Sequence, residues 1–215
     1  MATKPGFGKA GVITISSKSA GNLKHIFEGY DAKVIRQATA RTIKRTLVSG
    51  RAAAVSEMRS KRMLSMKSST MKTRITKHDH SNAREPAGSQ YGEIRFSGRQ
   101  ENLARFQAKR RVVGKSKLTG ASLYTVTVNA LGQPYLVGAK AFMVQKGKGK
   151  DKVILARVGK GRLPVEKQLG PSIADVAEKT GAMPILVQRI ALRYEKEMTT
   201  NLAFYSARAI ARATK

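Results

Sequence analysis

Two histidines flank an aspartate at His78-Asp79-His80, and these are side chains that can hold a zinc ion. A metal centre needs further ligands converging on one point. The remaining histidine is His25, and the chain has no cysteine. The triplet lies in a polar stretch with Ser81, Asn82, Arg84, Pro86 and Gly88, so these residues are expected on a loop without a metal. Carboxylates are scarce, 13 against 42 lysines and arginines. Glu195 and Glu197 stand close, but two residues apart on a helix they point in different directions. No serine, histidine and aspartate stand in the order of a hydrolase triad. The glycines and lysines from Lys146 to Lys150 do not form the G-x-x-x-x-G-K-[S/T] phosphate loop. The expectation is a protein that is not an enzyme and carries no cofactor.

The chemistry that remains is positive charge. The formal net charge is +29 over 215 residues, and a surface so charged repels itself unless polyanions or acidic protein faces stand nearby. The densest basic segment runs from Arg99 to Lys117. Arg105, Lys109, Arg110, Arg111 and Lys115 there face one acid, Glu101, with Leu103, Phe106, Val112 and Val113 interleaved. Such a segment could track a phosphate backbone or grip an acidic protein ring. It could equally be a solvated edge hairpin anchored by Phe106. Lys146, Lys148 and Lys150 form a second basic cluster, at the tip of an expected hairpin.

These charges need a scaffold. Val12–Ile15 reads as a short strand after a loose basic arm, Met1 to about Lys9. Asp31 can cap a long helix running from Ala32 to about Met66, with a break possible near Ser49-Gly50. Ala40, Ile43, Leu47, Gly50, Ala54 and Met58 recur on one face of it, and Lys33, Arg41, Lys44, Arg45, Arg51, Arg59 and Arg62 take most of the rest. A short helix follows from Ser68 to about Lys77. Strands are expected at Glu93–Ser97, Leu123–Val128, Ala141–Val144 and Lys152–Arg157, with Leu131–Pro134 as punctuation. Ser172 can cap a short helix ending at Gly181. A second long helix starts at Pro184, with Ala191, Tyr194, Met198, Leu202, Tyr205 and Ala209 on one face and Arg189, Arg193, Lys196, Arg208 and Arg212 mostly elsewhere. The pattern predicts an α+β fold: an antiparallel β-sheet packed against two long α-helices, with an extended basic N-terminal arm and hairpin loops. Residues 1–29 form the arm and short strand, 30–181 the α+β domain, and 182–215 a helix packing on that domain or on a neighbour. No apolar run has membrane-spanning length, and the N-terminus has no signal-peptide core.

Between strands and C-terminal helices lies Arg162-Leu163-Pro164-Val165-Glu166-Lys167-Gln168-Leu169-Gly170-Pro171-Ser172-Ile173. Its prolines favour extended backbone. Leu163, Val165 and Leu169 are expected to pack. The stretch would serve as a rigid strand-to-helix joint, and Leu163, Pro164, Gly170, Pro171 and Ser172 are candidates for a subunit boundary.

The same stretch carries a family resemblance. Gly92-Glu93-Ile94-Arg95-Phe96-Ser97-Gly98-Arg99, then Leu103-Ala104-Arg105-Phe106, Ala108-Lys109 and Gly114, then Ala141-Phe142-Met143 and Val153–Arg157, and finally Leu163-Pro164 followed by Gly170-Pro171-Ser172, resemble in order the bacteriophage minor tail protein Z, or tail-completion (neck), family. The resemblance runs from about Tyr30 to Ala177 and leaves out the N-terminal arm. It implies a structural virion protein without catalysis, forming a ring, expected to be hexameric, that completes the tail and joins adjacent rings at the neck. Its partners would be further copies of itself, tail tube, sheath or connector proteins with acidic surfaces, and genomic DNA in the lumen. It would be made in the host bacterial cytoplasm. A ring at the baseplate end is the alternative placement. The alternative function is a basic protein that contacts the phosphate backbone of DNA or RNA.

Overall fold

The structure is a computed structural model that describes residues 11–16, 27–60, 66–115, 122–130, 133–137, 141–145, 152–158 and 163–214. The fold is α+β, with two long helices that pack together and several antiparallel sheets. The chain divides into two compact units: a strand unit (Glu57–Thr70 and Ser97–Thr180) and a helical unit (Gly11–Ser56, Met71–Phe96 and Gly181–Lys215).

In the helical unit, β1 (Gly11–Ser16), β2 (Ile75–His80) and β3 (Tyr91–Phe96) form an antiparallel sheet in the order β1-β3-β2. Helix α1 (Ala32–Ser60) begins where the Asp31 carboxylate accepts from the Lys33 amide at 2.5 Å, satisfying a first-turn donor that has no helical partner. Each residue of the predicted apolar face, from Ala40 to Met58, is buried. The helix does not break at Ser49-Gly50. A Cβ on Gly50 would meet Ile94 Cδ1 at 2.8 Å and Ile190 Cγ1 at 3.1 Å, so this glycine serves close packing rather than a turn. At Gly92 a Cβ would lie 2.7 Å from Leu47 Cδ1, so β3 lies directly on α1.

Helix α4 (Ala182–Ala213) follows Gly181, whose φ of 68° suits glycine, and carries Pro184 in its first turn. Its buried face holds Leu186, Ile190, Tyr194, Glu197, Met198, Asn201 and Leu202. Ala191 and Ala209, predicted on that face, are exposed. Ile190 is buried in place of Ala191, while Tyr194, Met198 and Leu202 are buried as predicted. Helices α1 and α4 run antiparallel, joined by polar contacts: the Asn201 amide donates to Thr42 Oγ1 at 2.9 Å, and Arg45 pairs with Glu197.

Helix α2 (Ser68–Arg74) is shorter than expected, and β2 follows at once. His78-Asp79-His80 is therefore strand, not loop. β2 is a polar edge strand whose last residues face solvent, so no apolar alternation marks it in the sequence.

In the strand unit, β5 (Lys109–Lys115), β6 (Ser122–Ala130) and β7 (Gln133–Leu136) make one sheet. β8 (Ala141–Gln145), β9 (Lys152–Arg157) and β10 (Val165–Lys167) make a second. β4 (Gln100–Asn102) pairs with β11 (Leu169–Ser172). The strands thus divide among several small sheets instead of forming one. The predicted punctuation at Gln133-Pro134 is strand β7, where proline is tolerated because the strand lies at an edge. Helix α3 (Ile173–Lys179) starts as expected: Ser172 Oγ accepts from the Asp175 amide at 3.0 Å, and the Asp175 carboxylate accepts from the Ser172 amide at 2.9 Å.

Candidate anion-binding sites

A strand sends alternate side chains to opposite faces, so Asp79 points away from both His78 and His80. His78 Nε2 lies 3.2 Å from Thr76 Oγ1, the His80 ring stacks on Tyr91 at 4.6 Å, and Asp79 accepts from the Ser81 amide at 3.0 Å. Among the described residues no group of three or more His, Cys, Asp or Glu could hold a metal ion.

Four of the basic residues predicted on the helices tie elements of the fold together. The Arg51 guanidinium donates to the carbonyls of Ile75 (2.8 Å) and Lys72 (2.5 Å), tying α1 to β2 and α2. Arg59 donates to the Met66 carbonyl at 3.1 Å. Arg45 and Arg193 both pair with buried Glu197, at 3.2 and 2.6 Å. Glu57, Glu101 and Glu197 are buried, so the surface is poorer in acid than composition suggests.

In the strand unit the predicted cations separate into two roles. Arg105 sits in a 3-10 turn and pairs with buried Glu101, while Phe106 beside it is buried. Lys109, Arg110 and Arg111 open β5, and all are exposed. Lys109 and Arg111 leave one side of the strand and Arg110 the other, so both sides are basic. A cleft of about 650 Å³ lies there, lined by Ala108, Lys109, Arg110, Met143, Gln145 and Lys152. Arg110 donates to the Met143 carbonyl at 3.4 Å. Among the described residues no carboxylate lines this cleft. Lys115 ends β5 opposite Ser122. Lys146, Lys148 and Lys150 lie outside the described residues, as do the N-terminal arm and Arg162.

The proline-rich stretch also divides. Gly170 and Ser172 are buried: a Cβ on Gly170 would meet Leu103 and Phe106 at 2.9 Å, and Ser172 caps α3. Pro171 is half-buried. Leu163 and Pro164 are exposed, Leu163 by 74%. The expectation that Leu163 and Leu169 pack inward fails, since Leu169 is 44% exposed too. The stretch is held by its strand bonds and its helix cap rather than by its leucines.

A second basic cleft, in the helical unit, was not legible. It has a volume of about 520 Å³ and is lined by Gln37, Ala40, Arg41, Lys44, Ala83, Tyr205, Arg208 and Arg212. The Arg41 guanidinium lies 4.7 Å above the Phe204 ring and 5.9 Å from that of Tyr205. The sequence marks these cations as lying off the apolar faces of two helices. Only the antiparallel pairing of α1 with α4 brings them together.

Deeper in that helix pair, the Tyr194 hydroxyl is buried without a hydrogen-bond partner, and burial pushes its pKa up. No helix among the described residues is long and apolar enough to cross a membrane. No family model, curated protein or solved structure matches this chain.

Proposed function

We propose that this chain is a structural subunit of a tailed-bacteriophage particle, a non-catalytic ring, expected to be hexameric, that completes the tail and joins adjacent rings at the neck. The observation that carries the reading is the pair of exposed apolar residues, Val158 and Leu163, beside the paired strands β9 and β10. The Val158 amide donates to the Pro164 carbonyl at 3.0 Å, which brings Val158 (44% exposed) to the same end as Leu163 (74% exposed) and Pro164. The following residues are fixed by Gly170 packing and the Ser172 cap. A rigid scaffold that holds apolar side chains out to solvent suits a contact with another subunit. Strand β5 supports the same reading: an edge strand basic on both sides resists pairing with a like copy and suits an acidic neighbour. The resemblance through Gly170-Pro171-Ser172 points to the same role.

The test is the native mass of the full chain, with negative-stain images and the protein content of purified particles. The expected result is a ring, with Leu163→Asp reducing it to monomers at unchanged thermal stability. A wild-type chain that stays monomeric and is absent from particles would refute the proposal.

A further inference from the structure

We infer that the cleft between α1 and the C-terminal half of α4 binds the sugar-phosphate backbone of a nucleic acid. The inference rests on this cleft and stands whether or not the chain forms a ring.

Arg41 and Lys44 stand three residues apart on α1, and Arg208 and Arg212 four apart on α4, so each helix presents cations one turn apart. The two pairs line one cleft, and among the described residues no carboxylate lines it with them. A single small anion would need one such pair. Two pairs on facing helices suit a repeating anion. Three of the four cations are arginines, whose planar fork of donors matches phosphate oxygens two at a time, whereas lysine is a point charge. Arg41 is also held in place, since its guanidinium lies over the rings of Phe204 and Tyr205. A cation ordered before binding loses less side-chain freedom on contact. Phe204 remains 47% exposed, which leaves apolar surface for a sugar or base to cover. The dipole of α4 favours cations at its C-terminal end, which accounts for Arg212 in the last turn. It does not account for Arg208 a turn earlier, nor for Arg41 and Lys44 on the other helix. These features favour phosphate over an acidic polypeptide, whose carboxylates sit on flexible stems without a fixed repeat.

The experiment is fluorescence anisotropy of the full chain with a labelled random-sequence DNA duplex, over 50 to 400 mM salt. Arg208→Ala/Arg212→Ala is compared with Lys33→Ala/Lys77→Ala. Lys33 and Lys77 are exposed in the same unit and lie outside the cleft. Both variants carry +27, from 29 − 2, so total charge is matched. The cleft variant should lower the slope of log affinity against log salt by about 2 and weaken binding roughly 30-fold at 150 mM, while the control pair changes both far less. Equal losses in the two variants would mean undirected attraction and overturn the inference. So would undetectable wild-type binding at 50 mM salt. Polyglutamate that displaces the duplex at equal charge concentration would make the partner an acidic polypeptide and overturn it as well.

Discussion

Glu197 bridges the two long helices, and the cost of disturbing it should depend on which end is removed. Its side chain is 8% exposed, while Arg45 and Arg193 are 46% and 47% exposed. In Glu197→Gln the arginines can turn into water, and one side-chain oxygen still accepts. The loss is part of two charge-assisted hydrogen bonds, about 1–2 kcal/mol. In Arg45→Met/Arg193→Met the carboxylate stays buried with neither partner, which should cost about 3–5 kcal/mol. For a chain of this size that double change should lower the midpoint of thermal unfolding by roughly 6–12 °C at least. Whole-molecule repulsion predicts the opposite order. Glu197→Gln raises the net charge to 29 + 1 = +30, while the double variant lowers it to 29 − 2 = +27. The assay is urea unfolding of both variants at low and high salt. Local desolvation should persist in high salt, and diffuse repulsion should be screened. If Glu197→Gln is the more damaging change, and salt removes the difference, the local account of this bridge is refuted.

Two further predictions test the packing of the helical unit. Gly92→Ala places a methyl within 2.7 Å of Leu47 Cδ1 and 2.9 Å of Ile43 Cγ2, both in buried side chains, and should cost about 1–3 kcal/mol in chemical unfolding. Gly88→Ala, with nothing within 4 Å of its new methyl, should stay within about 0.5 kcal/mol of wild type, and equal losses would contradict the contact of β3 with α1. Tyr194 tests the buried hydroxyl. Its folded-state pKa is raised above the ordinary value of about 10, so its contribution to stability is complete below pH 10 and is lost as pH rises beyond it. Tyr194→Phe should keep wild-type stability to within about 1 kcal/mol at pH 7, and above pH 10 its stability should fall less steeply, by up to about 1.4 kcal/mol per pH unit. Parallel urea-midpoint curves for the two proteins up to pH 11.5 would contradict that placement.

Local chemistry was legible wherever a few neighbouring residues decide the outcome. Asp31 and Ser172 cap their helices as their types predict, because a cap is settled within three residues of chain. The 3.6-residue period marked the buried face of α1 from Ala40 to Met58, because a long helix buries one face whatever lies opposite. The same period misplaced Ala191, because small alanines say little about which way a helix turns. β2 escaped notice because an exposed edge strand needs no apolar alternation. Leu163 looked like a packing residue, but strand bonds and a helix cap fix its neighbourhood without it.

What the sequence determined by itself is the α+β class, the long helices, and a large excess of cations over acids. Which cations serve the fold and which face outward was decided only by tertiary structure. Arg45, Arg51 and Arg193 read in the chain like Arg41 and Arg208, yet the former meet a buried carboxylate or open carbonyls while the latter line a cleft. The physical reason is that an arginine's role depends on what stands within a few ångströms of its guanidinium. For Arg41 and Arg45 that neighbour is on α4, more than 150 positions away along the chain.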